Sequence, residues 1–291
     1  MSEILSAKSL VETEVIRLKE RVSRLNKSPL LKVILVGNNP SSMLYVNNKL
    51  RFCKKINAMC DIIKVKEDIT KNEFIRIIRD ISQEEGVTGL LVQLPLPEHI
   101  SDVEYNSIIP SEKDVDGFTE ANIFSLYNVK ANSNKISLPP CTPAGIVKIA
   151  EHYGIEFEGK NVVIIGRSLI VGKPLSLMLL SKNATVTVCH SKTKNLKRLT
   201  LAADIIISAM GKPHFINKDY ISKKNNQIII DVGISRLNNK TVGDVKFEEV
   251  KGIVRAITPV PGGIGPMTIL SLANNLVTAA EFQNKNLRGH N

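Results

Sequence analysis

Apolar runs of strand length alternate with helical patterns in the first half of the chain. A first helix is predicted within Met1–Asn26, where charged residues surround the apolar Leu5, Ile16 and Val22. Alternating elements then follow: a strand at Leu31–Val36, a helix after Pro40, a strand near Met59–Val65, a helix from Asn72 and a strand at Gly89–Gln93. This alternation predicts a parallel sheet covered by helices.

The second half of the chain follows a polar stretch between Asn122 and Pro140, which is typical of a linker and marks the predicted domain boundary. A helix is predicted near Thr142-Pro143, because threonine suits an N-cap and proline suits the first helical turn. Short β-rich runs come next, at Val162–Ile165, Thr185–Val188, Asp204–Ser208, Gln227–Val232 and Ile253–Ile257. This order predicts a nucleotide-binding α/β domain.

The length of 291 residues favours two domains, since a domain usually has ~150 residues. We expect two α/β domains with a cleft between them. The N-terminal domain spans 1–139 and is joined by a C-terminal helix at 267–285, whereas 140–266 form a Rossmann-like dinucleotide-binding domain. Within the last helix, predicted from Thr268 to about Gln283, the apolar face consists of Leu272, Leu276 and Ala279.

Composition excludes several classes of protein. The four cysteines (Cys53, Cys60, Cys141 and Cys189) form no CxxC pair and no Cys/His ligand spacing, which argues against a zinc site and against a disulfide framework. The N-terminus does not resemble a signal peptide, and every apolar run is far shorter than the ~20 residues of a membrane span. We therefore expect a cytoplasmic protein with no metal and no membrane partner.

The net charge of +11 attracts polyanions, and it is compatible with a nucleic acid, an anionic cofactor or merely a lysine-rich genome. Lysines are spread along the whole chain, and aromatic residues make up only 4%, so no stacking platform for bases is visible. We expect no nucleic-acid partner. A basic nucleic-acid-binding module stays as an alternative hypothesis that rests on the charge alone.

A glycine loop at Val163–Pro174 lies between a predicted strand and a predicted helix. Gly166 permits the tight turn after the strand, Gly172 permits a close backbone approach, and Pro174 presets the first helical turn. Free amides and the helix dipole would then face a phosphate. The spacing is not the ordinary GxGxxG pattern, so a simple connector remains the alternative.

The end of the next strand carries information about the cofactor. An NAD enzyme normally places a carboxylate there for the ribose hydroxyls, but this chain has His190, Ser191 and Lys192 after Cys189. Together with Arg167, these hydroxyl and basic groups suit a 2′-phosphate and favour NADP. The alternative is an exposed basic turn.

Tyr45 and Lys49 lie four residues apart on the helix after Pro40, so their side chains share one face. A lysine whose ammonium form is destabilised by burial or by its neighbours exchanges protons near neutral pH. Gln93, at the end of an apolar strand, could orient such an amine without adding charge. An exposed Tyr/Lys pair that only stabilises the helix is the alternative.

Two further segments carry groups suited to a ligand. Asp116, in the glycine-containing loop Asp114–Gly117, could accept paired hydrogen bonds from a heterocycle, or it could simply cap the Asp-Gly turn. The segment Thr258–Thr268 is dense in prolines and glycines, and so stiff and uncluttered a backbone can approach a flat ligand closely. An ordinary connector is the alternative there.

Taken together, these segments resemble the methylenetetrahydrofolate dehydrogenase/cyclohydrolase family, from about Val36 to the end of the last helix. Six short segments carry the resemblance: Tyr45–Lys49 (YVNNK), Val92–Pro97 (VQLPLP), Lys113–Gly117 (KDVDG), Pro140–Pro143 (PCTP), Gly166–Pro174 (GRSLIVGKP) and Pro259–Thr268 (PVPGGIGPMT).

The resemblance also implies roles for individual residues. Lys49 is implied to be the general acid/base of the cyclohydrolase step, with Gln93 tuning it, Tyr45 stacking on the folate and Asp116 holding the pterin. The folate site is implied to be lined by Pro261, Gly262 and Gly263 as well. The implied cofactor-binding residues are Gly166, Arg167, Ser168, Gly172, Pro174, His190, Ser191 and Ile234.

The implied activity is that of a bifunctional enzyme of one-carbon metabolism, which also supplies purine biosynthesis. It oxidises 5,10-methylenetetrahydrofolate to 5,10-methenyltetrahydrofolate with NADP and hydrolyses the product to 10-formyltetrahydrofolate. Tetrahydrofolate derivatives are then its partners, and a homodimer is expected. The alternative from the same architecture is an NADP-dependent dehydrogenase of another small substrate, such as a shikimate-type hydroxyl compound.

Overall fold

The computed structural model describes residues 2–127 and 136–288 of the chain. These residues divide into two compact units, which we name by their sheets. The three-stranded unit comprises residues 12–141 and 269–291, and the six-stranded unit comprises residues 1–11 and 142–268. The predicted α/β class with two domains is confirmed. The cleft predicted between the domains stays a prediction.

Residues 2–127 contain four strands and four helices. In chain order they are β1 (Glu3–Ile4), α1 (Lys8–Ser23), β2 (Leu30–Val36), α2 (Pro40–Lys55), β3 (Met59–Val65), α3 (Lys71–Gln83), β4 (Gly89–Val92) and α4 (Glu120–Ser125). The three-stranded sheet has the order β3-β2-β4, and both pairings are parallel. β2 therefore lies at the centre, with its carboxyl end beside the carboxyl end of β4.

The core of the three-stranded unit forms where α3 packs on this sheet. Phe74, Ile78 and Ile81 recur on one face of α3 and are buried together with Ile34 of β2 and Leu90 of β4. A capping box between Thr70 and Glu73 begins the helix, because each side chain bonds a backbone amide of the other residue. Nearly continuous apolar strands are expected for a parallel sheet with both faces covered.

Residues 136–288 contain seven strands and five helices. In chain order they are α5 (Cys141–His152), β5 (Asn161–Ile165), α6 (Gly172–Leu180), β6 (Thr185–Cys189), α7 (Leu196–Ala202), β7 (Ile205–Ser208), β8 (Ile228–Asp231), β9 (Ser235–Leu237), β10 (Lys240–Val242), α8 (Phe247–Val250), β11 (Ala256–Ile257) and α9 (Ile264–Arg288). The six-stranded sheet has the order β1-β11-β8-β7-β5-β6, with all its pairings parallel.

The order of this sheet positions a ligand site. β5 lies between β6 and β7, so the crossover from β5 to β6 runs to one side of β5, and the crossover from β6 to β7 returns past β5 to its other side. In open α/β sheets a crevice forms outside the carboxyl ends of the strands at such a switch point. Register places Ile165, Cys189 and Ser208 side by side at that edge. The glycine loop that follows Ile165 therefore begins where a dinucleotide site is expected.

The beginning of the chain corrects one prediction. The helix predicted within Met1–Asn26 begins only at Lys8, because Glu3–Ile4 instead pairs with β11. The amide of Leu5 donates to Ile257 O, and Leu5 is fully buried. Ile16, expected on the apolar face, is 60% exposed. The first eleven residues thus belong to the six-stranded unit, whereas the sequence analysis placed them with residues 1–139.

The predicted linker Asn122–Pro140 is wrong at its beginning, although its end matches the start of α5 at Cys141. Its middle, 128–135, lies outside the described residues. Its first residues belong to α4, and Asn122 is buried. The Asn122 amide nitrogen donates to Ser111 O (3.0 Å) and to Asp114 Oδ2 (2.9 Å), while its oxygen accepts from Leu138 N (3.1 Å). Asn122 is polar, yet it satisfies buried backbone groups and does not face solvent.

The last helix begins earlier than predicted. α9 starts at Ile264 rather than Thr268, because Pro266 lies in the first turn, where its missing amide would have no helical partner. The predicted apolar face is confirmed, since Leu272, Leu276 and Ala279 are buried. In the three-stranded unit, α9 is held to α1 by Arg21, whose guanidinium forms a bidentate pair with the carboxylate of Glu281.

The hairpin of β9 and β10 was not predicted from the sequence. Asn238 and Asn239 connect these antiparallel strands and have φ values of 49° and 60°. Two consecutive positive values match a type I′ turn, in which asparagine is favoured. The predicted strand Ile253–Ile257 is also shorter than expected, because only Ala256–Ile257 pairs.

Over the described parts of the chain, no helix is long and apolar enough to cross a membrane. The same stretches bring together no group of three or more His, Cys, Asp or Glu side chains that could hold a metal ion.

Replacing Asn122 by alanine is expected to lower the free energy of unfolding by about 3 kcal/mol, because Leu138 N and Ser111 O lose this hydrogen-bond partner and Asp114 Oδ2 loses one of its donors. Denaturant unfolding measures this value. Asn72→Ala, at an exposed position of α3, is the control and should change it by less than about 0.5 kcal/mol. Equal effects from the two variants would contradict a buried hydrogen-bonding role for Asn122.

Candidate functional site

In the three-stranded unit, the start of α2 fixes the position of Tyr45 and Lys49. Asn39 precedes the helix, and its side-chain oxygen accepts a hydrogen bond from Ser42 N (3.1 Å), while Pro40 occupies the first helical position. Tyr45 is 36% exposed and Lys49 is half-buried. The predicted shared face therefore carries one accessible ring and, a turn later, one partly enclosed amine.

Lys49 reaches the end of β4. Its Nζ donates to Gln93 Oε1 at 2.8 Å, and the Gln93 amide nitrogen donates in turn to Leu94 O at 2.7 Å. The Gln93 backbone is held as well, because its amide donates to Ile34 O of β2. Both ends of the Gln93 amide are thus used, which fixes its oxygen toward the lysine. The structure places Gln93 where it can orient the amine without adding a charge.

The two carboxylates of the loop Asp114–Gly117 have different roles. Asp114 is buried and accepts hydrogen bonds from Gly117 N, Thr119 N and the Asn122 side chain. It therefore takes the turn-capping role that the sequence analysis weighed for Asp116. The Asp116 side chain is left to interact with Lys49 and with Cys141.

Burial and charge set the protonation of this cluster. Burial lowers the pKa of the Lys49 amine below its ordinary 10.5, although the nearby charge of Asp116 acts in the opposite direction. Burial likewise raises the pKa of Asp116 above 3.8, and the positive charge of Lys49 opposes this shift. Burial also raises the pKa of the Tyr45 phenol. Compared with an exposed lysine, more of Lys49 is a neutral amine at physiological pH.

Three cysteines surround the amine, and the sequence analysis assigned none of them to the site. Cys141 is buried, donates from its thiol to Val115 O (3.2 Å) and hydrogen-bonds Asp116, and burial raises its pKa well above 9.0. Cys53 and Cys60 share a hydrogen bond, which lowers the pKa of Cys60 and raises that of Cys53. Cys53 was detectable in principle, because it lies four residues beyond Lys49 on α2.

The backbone around Asp116 is fastened by the last helix. Asn275 of α9 is buried, and its amide nitrogen donates to Val115 O at 3.0 Å and to Pro139 O at 2.8 Å. Asn275 was not singled out from the sequence, because a polar residue in a helix gives no sign of burial. Its two bonds hold the residue directly before Asp116 and the segment directly before Cys141.

In the six-stranded unit, the glycine loop turns sharply after β5. Gly166 has φ +137°, and a Cβ at this position would lie 2.4 Å from Ala209 O. A Cβ at Gly172 would lie 2.0 Å from Gly166 O. Neither position has room for a side chain, so the loop depends on both glycines. Ser168 supports the turn through its hydroxyl, which accepts from Val171 N at 3.1 Å.

The predicted cofactor residues divide by exposure. Arg167 and Ser168 are exposed at the tip of the loop, whereas Gly172 and Pro174 are buried in the first turn of α6 and shape it. His190 and Ser191 follow β6, at the same edge of the sheet, since Gly166 N donates to Cys189 O. Basic and hydroxyl residues thus follow the ends of adjacent strands. Such a set suits a phosphorylated ligand.

The remaining predicted positions follow β8 and β11. Ile234 is 44% exposed just beyond β8. Pro261 is exposed, Gly262 has φ +109°, and Gly263 is buried with no room for a Cβ, which would lie 2.7 Å from Pro259 O. These residues belong to the six-stranded unit, and Tyr45, Lys49, Gln93 and Asp116 belong to the three-stranded unit. The predicted site residues therefore divide into two sets, one in each unit.

Comparisons with known proteins follow the same division. A family model described as tetrahydrofolate dehydrogenase/cyclohydrolase, catalytic domain, matches residues 5–116. The NAD(P)-binding domain model of the same enzymes matches residues 140–284. A curated relative from Aquifex aeolicus, the bifunctional protein FolD, is 46% identical over 279 residues, which are 94% of each chain.

Solved structures agree over the full length. The bifunctional enzyme FolD of Campylobacter jejuni, a methylenetetrahydrofolate dehydrogenase/cyclohydrolase, is 42% identical with a TM-score of 0.91 and covers 97% of this chain and 99% of that one. The Trypanosoma brucei dehydrogenase-cyclohydrolase, solved with NADP cofactor and an inhibitor, is 30% identical with a TM-score of 0.90 over 99% of both chains. A shikimate dehydrogenase with 13% identity and a TM-score of 0.51, over 90% of this chain and 96% of that one, shares the fold alone.

The thiols report on the charge of Lys49. At neutral pH, Cys60 is expected to react with iodoacetamide before Cys53 and Cys141, because its pKa is lowered by the Cys53 hydrogen bond and by the charge of Lys49. Lys49→Met should slow the alkylation of Cys60, as measured by peptide mass spectrometry.

Lys54→Met, at an exposed position of the same helix, is the control and should leave the rate for Cys60 unchanged. If Cys141 reacts as fast as Cys60, or if the two variants behave alike, the electrostatic description of this cluster is wrong.

Proposed function

The chain belongs to the tetrahydrofolate dehydrogenase/cyclohydrolase family, as the sequence resemblance implied, and we propose that it is the bifunctional enzyme of one-carbon metabolism. It oxidises 5,10-methylenetetrahydrofolate to the methenyl cation with NADP and hydrolyses the cation to 10-formyltetrahydrofolate. The observation that carries this proposal is the 2.8 Å bond from Lys49 Nζ to Gln93, together with the lowered pKa of that amine.

The hydrolytic step needs proton transfer, and Lys49 is the group suited to it. Water adds to the methenyl carbon and loses a proton, which the neutral amine of Lys49 accepts. Cleavage of the bond from this carbon to N5 then yields the formyl group, as the hydroxyl of the adduct loses its proton and N5 takes one up. A lysine of ordinary pKa would be almost entirely protonated at neutral pH, so the burial that lowers the pKa of Lys49 is what allows it to act as a base.

The neighbours of Lys49 bind and orient the folate in this proposal. Gln93 fixes the direction of the amine, and Tyr45 offers an accessible ring for stacking. Asp116 can accept the paired amino and ring N–H donors of a pterin, because Asp114 already caps the turn. Pro261, Gly262 and Gly263 are proposed to contact folate through a backbone that carries little side-chain bulk.

The residues after β5 and β6 fit the phosphates of a dinucleotide. At Gly166 the positive φ and the close backbone of Ala209 leave no room for a Cβ. Cationic and hydroxyl groups for a 2′-phosphate are offered by Arg167, Ser168, His190 and Ser191. NADP, when bound, accepts the hydride. The chain itself needs no nucleophile for that step, because positioning of the two rings is sufficient. Ile234 is proposed to contact the cofactor beyond β8.

Assembly and location complete the proposal. We expect a homodimer in the cytoplasm with no nucleic-acid partner. β3 is an edge strand of seven residues that pairs, within the described residues, with β2 alone. An edge of this length is a surface on which a second copy can pack. Light scattering should give twice the 32.1 kDa of one chain; a mass of 32.1 kDa at micromolar concentration would exclude the dimer.

The decisive assay for the proposed function separates the two reactions. The purified protein should form the methenyl product from methylenetetrahydrofolate with NADP and more slowly with NAD, as followed by absorbance. It should also hydrolyse supplied methenyltetrahydrofolate in the absence of any nicotinamide. Absence of both reactions, with turnover of a shikimate-type hydroxyl compound instead, would favour the alternative dehydrogenase.

Lys49→Met is expected to reduce cyclohydrolase turnover by at least ~100-fold, because general acid/base catalysis typically contributes 10²–10⁴-fold. Dehydrogenase turnover should fall much less, since hydride transfer does not require the amine. Lys54→Met is again the matched control and should retain both activities. Hydrolysis at the unmodified rate in Lys49→Met would remove Lys49 from its proposed role.

A further inference from the structure

Two buried carboxylates of the six-stranded unit are not used by the proposed chemistry. Asp231 ends β8, and Asp244 follows the β9–β10 hairpin. Asp231 is 3% exposed and Asp244 is fully buried. Two acids buried side by side are costly, because each negative charge is desolvated and the two repel each other. So costly a pair requires an explanation.

Asp244 organises the segment that leaves β7. Its Oδ2 accepts from Ser208 Oγ (3.0 Å) and from Met210 N (2.7 Å), and its Oδ1 accepts from Lys212 N (2.7 Å). Three donors of one short segment therefore converge on a single carboxylate. The backbone conformation of residues 208–212 depends on this side chain.

Asp231 performs the same task for the segment that leaves β8. Its carboxylate accepts from Gly233 N (3.1 Å), Asp244 N (3.0 Å) and Val245 N (2.9 Å). The pair is thereby linked, since the backbone of Asp244 is held by Asp231. Burial and the neighbouring charge of Asp244 raise the pKa of Asp231 to about 7, although these backbone donors act against the shift.

The backbone packs closely against both carboxylates. A Cβ on Gly243 would lie 1.9 Å from Asp231 Oδ2, and a Cβ on Gly233 would lie 2.2 Å from Asp244 Oδ1. The pair therefore depends on glycine at both positions.

The segment held by Asp244 touches the glycine loop. Ala209 lies between two of its three donors, Ser208 and Met210. Ala209 N donates to Ile165 O (2.8 Å), and Ala209 O is the atom that a Cβ on Gly166 would meet at 2.4 Å. On the other side, Val232 N donates to Ser208 O (2.8 Å), and Gly233 directly precedes Ile234. The carboxylate pair thus supports two segments of the proposed cofactor site: the one that contacts the glycine loop and the one that leads to Ile234.

We propose that Asp244, linked to Asp231, is a positioning residue for the dinucleotide: it fixes residues 208–212 against the glycine loop so that the loop is preorganised for the cofactor. The inference rests on the proposed function, because it concerns the cofactor site of that enzyme. Neither side chain touches substrate or cofactor in this account. Both act through the backbone that they hold.

Asp244→Asn tests the inference, because asparagine keeps the volume but replaces one acceptor oxygen with an N–H group that faces a backbone donor. The dissociation constant of NADP, measured by calorimetry, and the KM for NADP should both rise about tenfold, which corresponds to about 1.4 kcal/mol. Hydrolysis of methenyltetrahydrofolate without NADP should stay within about twofold. Amide hydrogen exchange of the cofactor-free variant should be faster in residues 166–171 and 208–212.

Gln227→Ala is the matched control. Gln227 is also buried, but it directly precedes β8, at the opposite end of this strand from Asp231. Its side chain hydrogen-bonds Thr200 O, Ala203 O and Ser222 N. Its loss should lower the thermal midpoint without changing the dissociation constant of NADP. Ser208→Ala removes a single donor to Asp244, so it should weaken NADP binding in the same direction, but less, should Asp244→Asn fail to fold.

An unchanged dissociation constant in both Asp244→Asn and Ser208→Ala, despite lower stability, would overturn the inference, because the pair would then be merely structural. Weakening of the same size in Gln227→Ala would overturn it too. If the unmodified protein binds no NADP, the proposed function itself fails, and the inference fails with it. Binding by the unmodified protein therefore separates the two failures.

Discussion

The chemistry proposed for this enzyme depends on one desolvated amine. Burial lowers the pKa of Lys49, and the oxygen of Gln93, 2.8 Å away, fixes the direction of the amine. A fully buried lysine would lose its charge altogether, and an exposed one would keep its proton. The charge of Asp116 counteracts the burial, so the site balances two opposing effects on one group. The capped start of α2 and the hydrogen bonds of Gln93 keep the Lys49 amine in the position where these two effects oppose each other.

Both units use parallel strands to place their functional residues. In each sheet the functional residues follow the carboxyl ends of neighbouring strands, β2 and β4 in one unit and β5 to β8 in the other. Buried polar side chains then fix the loops: Asn122, Asp114 and Asn275 around Asp116, and Asp231 and Asp244 around the glycine loop. Such groups are satisfied by several hydrogen bonds each, which offsets the cost of burying them.

The sequence predicted the features that residues close together in the chain determine. Apolar runs located the central strands, glycine and proline located the turn at Gly166, and helical spacing paired Tyr45 with Lys49. It did not predict the features that depend on contacts between segments far apart in the chain. Glu3–Ile4 becomes a strand because β11 is available for pairing, and Asn122 is buried because Leu138, Ser111 and Asp114 offer partners. Cys141, Asn275 and Asp244 stayed unassigned for the same reason, since their roles arise from contacts far away in the chain.

The most direct test of the central claim is the titration of Lys49 itself. In protein labelled with ¹³C at the lysine Cε, nuclear magnetic resonance follows each amine, and the Lys49→Arg spectrum assigns the signal. The account predicts a midpoint clearly below 10.5, the ordinary value for lysine. A midpoint at or above 10.5 would show that burial does not dominate the environment of this amine, and it would contradict the proposed mechanism.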